Sequence, residues 1–418
     1  MWESPGFLAT IVAVAAAFGG WALLLPVVPL AVIQAGGSDT YAGATTGVFM
    51  AATVLTQIIT PRLCRTFGYI PVMSVAAFLL GVPAIGLAVS IDPLPVLLVS
   101  AIRGIGFGAL TVAESALIAE LVPMRFLGKA AGMLGLAVGL SELIFLPLGL
   151  YLAQQVGFNA VYVLGAATAL VAAPMCLLIP RIRPEGKNSD TEVEEKMPVP
   201  IWKLVTVPAV GISVASMGFG VVSTFLPAAV RESDAVNGAL FAGVVLSIVG
   251  GAQMVFRYFA GLIADRRGQA GLVMAPGLLA GALGLALMSV TVLNDWSVWL
   301  LFLAAVLYGG GFGIAQNEAL LMMFTRLPRS KVSEASALWN IAFDSGTGIG
   351  SFALGMVATA YAYSGAFAAA AGIMVLGLFA TLLDAALGRH RVSETNNIQA
   401  RLKRVSLPRP ARMRNKRK

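Results

Sequence analysis

Twelve stretches of about 20 apolar residues, joined by short polar connections, restrict this chain more than anything else in its sequence. They run over roughly 7–33, 41–60, 70–90, 94–121, 129–153, 158–179, 204–230, 238–260, 270–292, 297–324, 332–357 and 365–387. Each is long enough to cross a hydrocarbon core of ~30 Å as a helix rising 1.5 Å per residue. Composition agrees, because only 11% of residues are charged against about 25% in an ordinary soluble domain. The expected fold class is therefore all-α integral membrane. An even number of spans puts both termini on one side.

Lys and Arg assign that side. Arg62 and Arg65 follow span 2, Arg125 and Lys129 follow span 4, and Arg181, Arg183, Lys187, Lys196 and Lys203 follow span 6. Arg266, Arg267, Arg326, Arg329 and Lys331 continue the same edge. The opposite connections hold Asp39, Asp92 and Asp295 with Arg231 as their single basic residue. Both termini are expected in the cytoplasm of a plasma-membrane protein.

The formal net charge of +8 lies in the tail, where residues 389–418 carry eleven Lys or Arg against Glu394. Such a segment is read as disordered and attracted to anionic lipid, at about 1 kcal/mol per basic residue, rather than as a nucleic-acid site. The first span lacks a basic leader and a small-residue cleavage site, so it reads as a retained helix. Cys64 and Cys176 fall near cytoplasmic span ends, where disulfides do not persist. His390, the sole histidine, lies in the tail, so any proton relay within the membrane must use carboxylates.

Residues 181–203, RIRPEGKNSDTEVEEKMPVPIWK, form the one long polar interruption. They divide the chain into a bundle over 1–180, a cytoplasmic linker over 181–203, a second bundle over 204–388 and the tail over 389–418. Offset by 200 to 205 residues, the halves echo one another. Gly19 and Pro26 match Gly218, Gly220 and Pro227, GFGAL at 106–110 matches GFGIA at 311–315, and Pro123 matches Pro328. Two six-helix repeats about an axis along the membrane normal are an arrangement that secondary transporters use.

The loop at Gly261, Asp265, Arg266 and Gly268 fits a G-x-x-x-D-R-x-G pattern, and RGIGFG at 103–108 places an arginine among glycines in span 4. By these residues the chain resembles the major facilitator superfamily over nearly its whole length. The resemblance implies two pseudo-symmetric six-helix bundles, alternating access, and a cytoplasmic loop that latches the bundles in the outward-facing state. The equivalent first-half loop carries Arg65 where the family usually has Asp, and Pro61 where it has Gly. The antiporter pattern of span 5 is reduced to Gly135, Gly139 and a displaced Pro147-Leu-Gly149. By the same analogy Asp265 should meet the start of span 5 near Lys129, and Arg65 the start of span 11. There Glu334, repeat-equivalent to Lys129, could supply a carboxylate.

Within the spans the acids stand out, since each costs about 2.5 to 3.5 kcal/mol at the bilayer centre. Asn340, Asp344, Thr347, Gly348 and Ser351 recur with helical spacing on one stripe of span 11, and Asp344 lies ~18 Å from its start. Span 5 puts Glu142 at nearly the same depth. Glu114 in span 4 and Glu318 in span 10 form a second near-equivalent pair, with Gln316 and Asn317 beside Glu318. Four carboxylates cannot all be neutralised by Arg103 and Arg257, so some are expected to hold a proton, because burial favours the neutral acid. Intramembrane acids are read as functional by default, although each could simply bond a neighbouring helix. Arg103 could meet Glu114 through water or motion, and Arg257 is expected to snorkel toward the headgroups.

GIGFG at 104–108 and GTGIG at 346–350 lie inside apolar helices and read as close packing rather than nucleotide loops. No Walker A sequence, H-E-x-x-H or G-x-S-x-G occurs. Neither ATP drive, nor a cofactor, nor enzyme chemistry has support in the sequence. An apolar cavity with a few acids and aromatics such as Trp21, Phe219, Trp339 and Phe343 suits an amphipathic or cationic solute better than a bare sugar or phosphate. Proton-coupled export of a small compound by a monomer is the leading expectation. Uptake or facilitated movement of a polar metabolite, lipid flipping, and a non-transporting membrane sensor are the alternatives.

Overall fold

Proline marks some of the breaks in the long helices. The computed structural model describes residues 6–121, 127–180, 200–233, 238–267, 269–327 and 332–387. Helices α1 (Phe7–Leu24) and α2 (Val27–Gln34) form one crossing interrupted at Pro26, where the missing N–H and the crowding ring break the ladder. Helix α3 (Asp39–Phe67) starts at Ser38, whose hydroxyl accepts from the Tyr41 N–H, the expected use of a serine cap. Helix α4 (Tyr69–Gly81) tightens into a 3₁₀ turn over Val82–Ala88 around Pro83. Then come α5 (Pro93–Leu121), α6 (Leu127–Gln155) and the pair α7 (Phe158–Leu170) and α8 (Ala172–Leu177), which completes the first six crossings. The second half comprises α9 (Ile201–Ser233), α10 (Gly238–Arg267), α11 (Met274–Leu293), α12 (Trp299–Arg326) and α13 (Val332–Leu387).

Among the described residues eleven helical stretches are long and apolar enough to cross a membrane. The last of these is two crossings. Its backbone leaves the helical region at Tyr361 and Ala362, and both of its ends return to one edge. Ala335 packs with Met323 and Leu327, while Asp384 pairs with Arg326. The turn that the sequence places in the gap 358–364 is thus made by two residues, giving twelve crossings. We call the edge bearing Arg62, Arg65, Arg266, Arg267 and Arg326 the basic edge and its opposite the far edge. The linker and the tail lie outside the described residues.

Lipid is as apolar as leucine, so close van der Waals packing and interhelical hydrogen bonds must hold such a bundle together. Small residues supply the first. A Cβ on Gly104 or Gly108 of α5 would strike the backbone of Phe49 or Thr53 on α3, and one on Gly309 or Gly313 of α12 would strike Val249 or Gln253 on α10. This repeated contact pairs the halves helix by helix, at the offsets the sequence shows. Between the halves, α3 packs on α13 and α6 on α10.

These two seams are closed toward the far edge. The Thr40 N–H donates to the Thr359 hydroxyl at 3.2 Å, and the Tyr363 hydroxyl donates to Asp39 at 3.0 Å. Gly43 and Gly47 of α3 lie against Ser351 and Phe352 of α13. Toward the basic edge the α6–α10 seam thins. A Cβ on Gly139 would still touch Met254, whereas one on Gly135 would meet nothing within 4 Å.

Candidate functional site: two acid–amide bridges in the seams

The closed part of each seam ends at a carboxylate. Asp344 of α13 is 5% exposed and accepts from the Gln57 side-chain amide of α3 at 2.6 Å. The same amide also reaches the Thr111 hydroxyl of α5 at 3.3 Å. In the other seam Glu142 of α6 is 4% exposed and accepts from the Gln253 amide of α10 at 3.2 Å. Both bridges run from one half of the chain to the other, each from a glutamine to the acid of the facing helix. Among the described residues, the hydrogen bonds between the halves lie at these bridges or beyond them toward the far edge.

The two surroundings differ. Gln253 and Arg257 are one helical turn apart, so they share a face of α10. Gln253 and Arg257 both donate to the Gln316 side-chain oxygen of α12, at 3.3 and 3.2 Å. The Arg257 guanidinium sits 5.9 Å from the Trp339 ring centroid, and the Trp339 indole N–H donates to the Gln316 backbone carbonyl at 3.1 Å. Arg257 is close enough for its charge to act on Glu142. The expectation that Arg257 snorkels is therefore corrected, because two acceptor-rich neighbours and an aromatic face hold its head within the protein. Asp344 has Gln57 and no cation beside it among the described residues.

In each bridge the glutamine side-chain oxygen, Oε1 of Gln57 and of Gln253, is buried without a hydrogen-bond partner. A carboxylate can only accept, whereas a protonated acid also donates. Each bridge thus contains an idle acceptor beside an acid that could supply one more donor.

The second pair of acids lies elsewhere. Glu114 is 1% exposed, with Oε1 unpartnered, and neighbours Cys176 of α8 within the first bundle. Glu318 is fully buried and faces the backbone N–H groups of Gly271 and Val273 just before α11, without closing a hydrogen bond of good geometry. Residues two apart on a helix point about 200° apart, so Gln316 reaches the seam while Glu318 turns behind it. Asn317 lies against Gly261 of α10, its side-chain nitrogen unpartnered. Asn340 is half-buried and donates to its own helix at the Ser336 carbonyl.

Arg103 does not meet Glu114, eleven residues and ~16 Å along the same helix. It donates from Nε to the Leu80 carbonyl at 3.1 Å and lies 5.6 Å from the Phe49 ring centroid. Of the basic-edge residues, Arg65, Arg266 and Glu334 are exposed, and no ion pair between Arg65 and Glu334 occurs in this conformer among the described residues. Gly268 and the side chains of Lys129 and Asp265 lie outside the described residues.

Of the seam amides Gln316 stands out in the sequence beside Glu318, whereas Gln253 does not. Its signal was available, since an amide amid an apolar span must find a polar partner.

The Major Facilitator Superfamily family model matches residues 10–327. The chain belongs to that superfamily. A stretch of 137 residues, 32% of this chain, is 30% identical to an uncharacterized MFS-type transporter of Mycobacterium tuberculosis. That stretch spans only 20% of the relative's length. Among solved structures, the nucleoside transporter NupG aligns with TM-score 0.70 and 15% identity over 90% of this chain and 98% of its own. The xylose transporter XylE from E. coli, in an inward open conformation, aligns with TM-score 0.67 and 16% identity over 90% and 95%. A bacterial homologue of the human lysosomal transporter Spinster, in an inward-facing conformation, gives 0.70 and 16% over 91% and 95%. At these identities the structural likenesses establish the fold alone. The chain is accordingly a multi-pass membrane protein of the major facilitator superfamily.

Proposed function

We propose that this transporter couples proton entry to the export of a small amphipathic or cationic compound, with Asp344 as proton carrier and Glu142 as a second protonation site. The observation that carries this reading is the pair of bridges, in which a buried acid faces an amide whose own oxygen has no donor. Protonation would let the amide turn and accept from the acid, replacing a charge-assisted bond by a neutral one of about half the strength. The strength of the bond across the seam therefore depends on whether the acid is charged. Asp344, with no cation beside it, is the group whose charge is least compensated. Glu142 shares the field of Arg257.

With the basic edge in the cytoplasm, the seams part inward and both termini are cytoplasmic. Trp339 and Phe343, half-buried and stacked with ring centroids 5.4 Å apart, offer a flat apolar face that suits a planar amphipathic cation, backed by the buried Phe312 and Phe219. Reconstituted protein should accumulate a probe such as ethidium when driven by a pH gradient. Asp344→Asn should abolish that accumulation while leaving exchange of labelled for unlabelled probe intact. Undiminished uphill transport by this variant would refute the assignment.

One observation favours a second reading, proton-linked uptake of a polar metabolite. The seams offer the side-chain amides of Gln57, Gln253, Gln316 and Asn340, more than an apolar solute needs. Proteins named for nucleosides and xylose also share the fold. Accumulation in intact cells rather than in inverted vesicles would decide for it.

A further inference from the structure

A small cavity in the first bundle lies outside the bridges. It is lined from α1, α2, α3 and α5, and its volume is about 20 Å³. Arg103, Trp21, Thr45, Thr46 and Ser100 supply its polar groups, the Thr45 hydroxyl already donating to the Ala42 carbonyl, and its lining includes no carboxylate. Arg103 is 5% exposed and Trp21 2%. Of the five guanidinium N–H groups, the one on Nε is taken by the Leu80 carbonyl, while the four on the terminal nitrogens have no protein acceptor among the described residues. The Trp21 indole N–H is also buried without an acceptor. Among the described residues no carboxylate pairs with the guanidinium, and a buried charge left unpaired is costly.

We infer that this cavity is a binding site for a monatomic anion of the chloride class, held by Arg103 and Trp21. One water needs about 10 to 15 Å³, so the space admits a water or a single halide and excludes a carboxylate metabolite or a phosphate. Water brings two donors of its own into a site that already has too many. A halide brings none, accepts from several N–H groups at once and cancels the charge. The hydroxyls of Thr46 and Ser100 can turn to donate as well. Because α2, α3 and α5 meet at this cavity in the half closed toward the far edge, an occupied site holds that half together.

Thermal unfolding of the full-length purified protein in chloride, bromide or gluconate at one ionic strength tests the site. Chloride and bromide should raise the midpoint saturably, and gluconate, too large to enter, should not. Trp21→Phe keeps the charge and the ring packing but loses one donor, and should weaken the apparent chloride affinity about tenfold, the effect of one hydrogen bond to a charged group. Arg103→Gln should abolish the response. Equal midpoints in chloride and gluconate would overturn the inference, as would an unchanged chloride response in Trp21→Phe, which decides the matter if Arg103→Gln fails to fold.

Discussion

Gly43→Ala should drive the transporter toward the state open at the far edge. Gly43 sits on α3 where that helix crosses α13 of the other bundle, and an added Cβ would run into the Ser351 backbone carbonyl. A backbone atom within a helix cannot turn aside as a side-chain end can, so the helices must separate. Overpacking of this kind costs about 1 to 3 kcal/mol. Alanine also raises helix propensity by about 1 kcal/mol, but equally in both conformers, so that gain cancels from the equilibrium. The clash exists only while the far edge is closed, and its whole cost therefore shifts the population, by about 5- to 150-fold. Gly135→Ala, where an added Cβ meets nothing within 4 Å, is the matched control. Spin labels on Asp92→Cys and Asn294→Cys, both exposed at the far edge on opposite bundles, report the opening by pulsed electron resonance. The long-distance fraction should grow with Gly43→Ala and stay unchanged with Gly135→Ala. An identical distance distribution in both would refute the assignment of this seam as the far-edge closure.

Other expectations follow from single contacts. Asp384 is buried against Arg326, which also donates to the Leu204 carbonyl. Asp384→Ala strands that cation and should lower stability by about 3 kcal/mol, read as a drop in unfolding midpoint, whereas replacing both partners by Leu and Met should cost less. Ala362 turns the chain at φ 59° and ψ 179°, a region costing about 1 to 3 kcal/mol for a residue with a Cβ. Ala362→Gly should therefore raise the unfolding midpoint, and a fall would show the turn to be unstrained. At the basic edge, Arg65→Glu should increase labelling of a cysteine placed in α5 or α12 from that edge, and adding Glu334→Arg should restore it. Failure of the double exchange to restore labelling would leave Arg65 as a topology signal alone.

The sequence by itself determined what depends on the solvent. Bilayer thickness sets span length, and the cost of polar groups in hydrocarbon exposes every acid, so the helical class and Asp344, Glu142, Glu114 and Glu318 were legible at once. The repeat was legible too, because glycines that admit a backbone must recur wherever the same crossing recurs. Partnership was not, since it depends on rotation and depth across helices hundreds of residues apart. The sequence set Asp344 with Glu142 and Glu114 with Glu318, but what each acid meets appeared only in three dimensions. Asp344 and Glu142 meet glutamines across the seams, Glu318 turns toward the start of α11, and Glu114 remains inside its own bundle. Arg257 shows the same limit: position along its helix suggested a snorkelling cation, and only the neighbouring Gln316 oxygen and Trp339 ring turned it inward. Tertiary structure also decided which edge is closed, because closure depends on packing between helices of the two halves at seams such as Gly43 with Ser351.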